Sequence, residues 1–116
     1  EGNADPIQIP ELSNIHAICS NGTTTFCIDK DNNLWVISLV PKIEVNPIHI
    51  PGRIISMACG ENGYFITEEN LLFYRSSNNP ENEVSLVSGF DGVPLQCFCS
   101  SQKTYLLCSS GAVWFF

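Results

Sequence analysis

The sequence has few positive charges, and nowhere do they gather. Its five basic residues, Lys30, Lys42, Arg53, Arg75 and Lys103, stand far apart against 12 acidic residues, for a net charge of −7. Neutralising phosphates takes clustered Lys and Arg, so neither nucleic acid nor an anionic membrane surface is an expected partner. No apolar run approaches the ~18 to 20 residues that cross a membrane. Histidine is nearly absent: His16 and His49 each sit in an alternating, strand-like run, where a satisfied or solvent-facing side chain is expected. No Ser-His-Asp or Cys-His arrangement has local support. "GENG" and "GFDG" are two-glycine turns without the G-x-x-x-x-G-K-[ST] pattern of a phosphate loop. The expected catalytic, cofactor-binding and metal-ligating residues are therefore none. A basic start with an apolar middle is also missing from "EGNADPIQIPE", so it does not read as a secretory signal. With no initiating Met, the chain is expected to be an excised domain or mature piece of a longer parent.

What is present is a chain of one domain's length, 116 residues, with 44% hydrophobic and only 15% charged residues. That composition supports one modest core. Six cysteines stand at 19, 27, 59, 97, 99 and 108, with no CxxC pair and no Cys-His zinc spacing. Each lies in an apolar run, where a free thiol behaves as a small hydrophobe. The expectation is reduced, core-packed cysteines in an intracellular protein. The reading left open beside it is a secreted, disulfide-linked β-domain, with Asn21-Gly22-Thr23 as a glycosylation triplet. Cys97 and Cys99 alternate on one strand face and could bind a soft metal or oxidise; core packing is the expected role.

A repeat of about 40 residues organises the chain. Cys19, Cys59 and Cys99 occupy one place in "IHAICSNGTTTFCIDKDNNLWVI", "IISMACGENGYFITEENLLFYR" and "LQCFCSSQKTYLLCSSGAVWFF". After each comes a short apolar run, then a polar turn (DKDNN, TEEN, CSSG), then an aliphatic-aromatic pair: Leu34-Trp35, Leu72-Phe73 and Val113-Trp114. A proline precedes each unit: Pro6, Pro47 and Pro94. Two units need a one-residue insertion or deletion to align. The runs are short, β-branched and aromatic, bounded by Gly, Asn, Asp, Ser and Pro, and none shows sustained helical periodicity. Asn, Asp and Gly in the turns tolerate positive φ. Three or four short strands per unit, repeated, is the pattern of a β-propeller blade. Units of about 6–46, 47–93 and 94–116 are expected, the last truncated, within one partial propeller domain over 1–116. The cysteines are expected where only small side chains fit, and Trp35 and Trp114 buried between neighbouring sheets.

At these residues the chain resembles the regulator of chromosome condensation repeat family. Ile55, Ala58, Cys59, Gly60, Thr67, Leu72 and Phe73 match its repeat, as do Cys99, Thr104, Leu106, Leu107, Gly111, Val113, Trp114 and Phe116. The family's usual His is Thr24, Gly63 or Lys103 here, and its N-x-x-G-Q-L-G turn is missing. WD-repeat proteins are the neighbouring possibility, without the Gly-His or Trp-Asp pair that marks them. The resemblance implies an all-β fold of two to three blade-equivalents from a propeller normally of seven blades, with end blades covered by the missing blades of the same parent. It also implies function. The first expectation is a non-catalytic protein-interaction scaffold. Its partner-binding loops would carry Glu68, Glu69, Glu81 and Glu83, all in predicted turns, and face a basic partner. The second is a guanine-nucleotide exchange factor for a small GTPase, as the founding member is; no residue can be carried over for that activity.

Overall fold

A computed structural model describes residues 6–20, 24–38, 42–76, 83–100 and 103–116. Among them there are only strands and turns. The strands are β1 (Ile15–Ser20), β2 (Thr25–Asp29), β3 (Leu34–Ser38), β4 (Glu44–Ile48), β5 (Ile54–Cys59), β6 (Gly63–Thr67), β7 (Leu72–Arg75), β8 (Ser85–Leu86), β9 (Pro94–Ser100), β10 (Lys103–Cys108) and β11 (Val113–Phe115). They form three antiparallel meanders, β1-β2-β3-β4, β5-β6-β7-β8 and β9-β10-β11. The first strands lie side by side, β1 against β5 and β5 against β9. Pro47 sits in β4, at a sheet edge where its missing N–H breaks no central ladder.

Local chemistry explains why the hairpins recur. The second turn of each sheet places one residue at positive φ: Asn32 (68°), Asn70 (65°) and Gly111 (92°). At each of them the backbone N–H donates to the carbonyl three residues back, Asn32 to Asp29 (3.0 Å), Asn70 to Thr67 (2.9 Å) and Gly111 to Cys108 (3.0 Å). Asn and Gly are the residues that accept this left-handed geometry at least cost. A second bond recurs with them. Lys30, Glu68 and Ser109 donate to the carbonyls of Asn14, Arg53 and Val93, the residues just before β1, β5 and β9. One hydrogen-bond pattern is built three times from three different strings of side chains.

The core lies in two seams between sheets. Phe26, Ile28, Leu34, Val36 and Ile48 of the first sheet meet Cys59, Phe65 and Phe73 of the second. On the other face of the second sheet, Ala58, Tyr64, Ile66 and Leu72 meet Cys97, Leu106 and Cys108 of the third. Because successive side chains alternate faces, β6 feeds both seams and all five of its residues are buried. The first two sheets come close at Gly63. A Cβ there would stand 2.8 Å from two carbons of the Phe26 ring, so only glycine fits without displacing it.

Two packing expectations need correction. Trp35, Phe73 and Trp114 do occupy the same rung, opposite Cys27, Phe65 and Leu106. Yet only Phe73 is buried; both tryptophans are half-buried. On this rung the side chain faces the preceding sheet. For Trp35 no preceding sheet exists among the described residues, and Trp114 sits on the edge strand β11. The cysteines are not all in the core either. Cys59 is buried, Cys19 partly so, and Cys99 is exposed near the end of β9.

Candidate interaction surface

The hairpin alternation brings one set of turns to one end of all three sheets: Asp29–Asn33, Thr67–Leu71 and Cys108–Ala112, with the 51–53 and 87–93 connections beside them. Hydrogen bonds make this rim rigid. The Asp29 carboxylate accepts from the backbone N–H of Asp31 (3.0 Å) and Asn33 (2.9 Å), from the Asn33 amide (3.0 Å) and from Trp35 Nε1 (3.4 Å). Asn32 ties the first sheet's turn to the second sheet: its amide donates to Gly52 O, and its Oδ1 accepts from the Ile54 N–H, both at 3.0 Å. Gly52 has φ +99°, and a side chain there would collide with the Glu69 carboxylate.

Partial burial pushes the Asp29 carboxyl up, but the hydrogen bonds from Asn33, Trp35 and Asp31 outweigh it and hold its pKa below the ordinary aspartate value. A carboxyl whose folded pKa is lowered adds stability above its unfolded pKa of ~4 and loses it as pH falls through the folded value. Asp29→Ala is therefore expected to lower the melting temperature at neutral pH. The gap to the parent chain should narrow as pH drops below about 4. Melting curves across that range check this, and a gap independent of pH would contradict the role given to the carboxylate.

Glu68 and Glu69 are adjacent and exposed in the second sheet's rim turn. Glu68 stands 3.9 Å from Arg53, with both side chains more than half exposed, an arrangement worth little in energy. Glu83 is exposed but lies outside a turn: its backbone forms an isolated parallel bridge with His49 at the outer edge. β8 pairs on β7 for two residues only, Ser85 and Leu86. Glu81 falls outside the described residues. His16 and His49 are both exposed. The rim also holds Asp31 and Asp91, exposed acids that were not singled out in the sequence. Their signal was the alternation itself, which sends every second connection to the same end.

Two clefts, of about 160 Å³ by Trp35, Pro47 and His49 and about 200 Å³ between β1 and β5, fall below the ~300 to 1,000 Å³ of small-molecule sites. The third sheet leaves Phe98, Tyr105, Val113 and Phe115 uncovered on its outer face, with Phe115 66% exposed.

No family model matches the sequence, and no curated protein matches it. Solved structures do. The chain is similar to a structure of Kap60 bound to yeast RCC1 (Prp20), with TM-score 0.70 at 12% identity, covering 90% of this chain and 32% of that one. It is similar to human WBSCR16, with TM-score 0.69 at 10% identity, covering 88% and 32%. It is also similar to Prp20p from Saccharomyces cerevisiae, described with its binding to Gsp1p and histones, with TM-score 0.70 at 12% identity, covering 90% and 33%. The chain thus has the fold of a partial β-propeller. That fold is similar to the RCC1-type propellers of these neighbours, and the chain spans about a third of their length.

Proposed function

We propose that the chain is a wedge of a longer intracellular propeller and acts as a non-catalytic protein-binding scaffold, its turn rim holding a basic partner. The observation that carries this is a rigid rim with exposed Asp31, Glu68, Glu69 and Asp91, and Asp29 behind them, against only Lys30 and Arg53. Loops held by a sheet scaffold are where such folds display contacts. Excess charge of one sign steers an oppositely charged partner and raises its association rate. The uncovered Phe98–Tyr105–Phe115 row supports the longer propeller. It is the third sheet's counterpart of Cys19–Phe26–Val36, the row by which the first sheet packs on the second. Six free thiols fit a reducing compartment.

A second reading, a guanine-nucleotide exchange factor for a small GTPase, is favoured by the likeness to Prp20p, described with its binding to Gsp1p. Release of a fluorescent guanine nucleotide from a panel of small GTPases separates the two. The scaffold reading expects no acceleration by the protein; strong acceleration of any one GTPase would replace it with the second.

A further inference from the structure

The 40-residue spacing of the cysteines has a chemical consequence at one seam only. On the Trp35–Cys27–Ile18 rung of the first sheet and the Phe73–Phe65–Met57 rung of the second, the two sheets are in step. Counting from there, Cys19 is one rung along, opposite Phe26, and Cys59 is two rungs along, opposite Gly63. A one-residue shift turns a side chain to the other face of its sheet. The offset therefore points Cys19 at the second sheet while Cys59 points at the first, and both thiols enter the same seam. The partners of these two rungs confirm the approach, because the Phe26 ring lies against Gly63. Cys59 Sγ also reaches across to Thr24 O, at the start of the hairpin's second strand (4.0 Å).

The second seam has no such pair. There Ala58 takes the rung facing the third sheet, Cys99 is exposed, and the Cys97 thiol sits between Ser56 Oγ (3.6 Å) and Tyr64 O (3.8 Å).

We propose that Cys19 and Cys59 are a cross-sheet dithiol that closes reversibly to a disulfide by exchange with a small disulfide such as oxidised glutathione. The Cys19 S–H, donated to Cys59, holds the Cys59 thiol below its ordinary pKa against the opposing effect of burial, while the Cys19 thiol is pushed up by the same contact and by burial. Of the two thiols Cys59 is thus the readier to ionise, and exchange runs through a thiolate. Cys19, the partly exposed member, marks the side from which reagent approaches. One thiolate of the pair attacks one sulfur of the small disulfide, whose S–S bond breaks, and the released thiolate takes up a proton. The second protein thiol then gives up its proton, attacks the mixed disulfide and expels the other small thiol. The two protein sulfurs are oxidised, the small disulfide is reduced, and both protons end on the small thiols.

The test is peptide mapping without reduction, after incubation of the chain with oxidised glutathione and alkylation of the remaining thiols. The expected product is a Cys19–Cys59 linked peptide pair and a loss of two hydrogens, while exposed Cys99 takes up glutathione or the alkylating agent. Cys19→Ser and Cys59→Ser should each abolish the link. Should either variant fail to fold, the mapping of the unaltered chain still decides. In denaturant the same treatment should scatter the pairings among all six thiols. Cys19 and Cys59 recovered as free, alkylated thiols beside a modified Cys99 would overturn the proposal. So would the scattered pairing under native conditions.

Discussion

Replacing Phe65 with Ala is expected to destabilise the chain by about 3 to 5 kcal/mol, read from the midpoint of chemical denaturation. Phe65 is fully buried, at 0% exposure, in the middle strand pair of the middle sheet. Its ring meets Phe26 edge-on with centroids 5.3 Å apart, the geometry that aromatic quadrupoles prefer. Val36, Ile54 and Phe73 belong to the same cluster. Truncation removes the transfer energy of the ring and leaves a cavity that two facing sheets cannot close, since Phe26 is already pressed against Gly63. A loss below about 1 kcal/mol would mean that this seam is not the core, because values that small belong to positions with little packing to lose.

Leu106→Ala is expected to cost about 2 to 5 kcal/mol and to act locally. Leu106, also at 0% exposure, is the central rung of the third sheet, between Cys97 and Trp114. Among the described residues the third sheet packs by one face only, so this rung holds it to the second sheet. Hydrogen exchange should show amides of β9 to β11 losing protection while those of β2 and β6 keep most of theirs. Uniform loss across all three sheets would contradict an architecture of two separable seams.

The hairpins were legible because their chemistry is local. DKDNN, TEEN and CSSG differ in most of their side chains, yet each offers Asn or Gly where the backbone needs positive φ. The aromatic rung was legible for the same reason, as it sits a fixed distance after that turn. Burial was not, because it depends on what stands opposite. Trp35 has the same rung as Phe73 but no preceding sheet to enter among the described residues. Nor could spacing give the direction of each cysteine. Cys19, Cys59 and Cys99 are evenly spaced, but a one-residue difference in the first hairpin reverses the face that Cys19 takes. For the acidic residues, turn propensity placed Glu68 and Glu69 correctly. Glu83 instead bridges His49 at the outer edge, a pairing of residues far apart in sequence that turn propensity does not carry.

The acidic rim is proposed to bind a basic protein. That binding is tested by titrating the protein with a basic probe, a purified core-histone dimer, at low and at physiological salt, beside a Glu68→Lys, Glu69→Lys double variant. Both residues are exposed and neither belongs to the buried core. The expected result is salt-sensitive binding by the unaltered protein, weakened several-fold by the charge reversal, with the melting temperature unchanged. No binding, or equal binding by the variant, would contradict it.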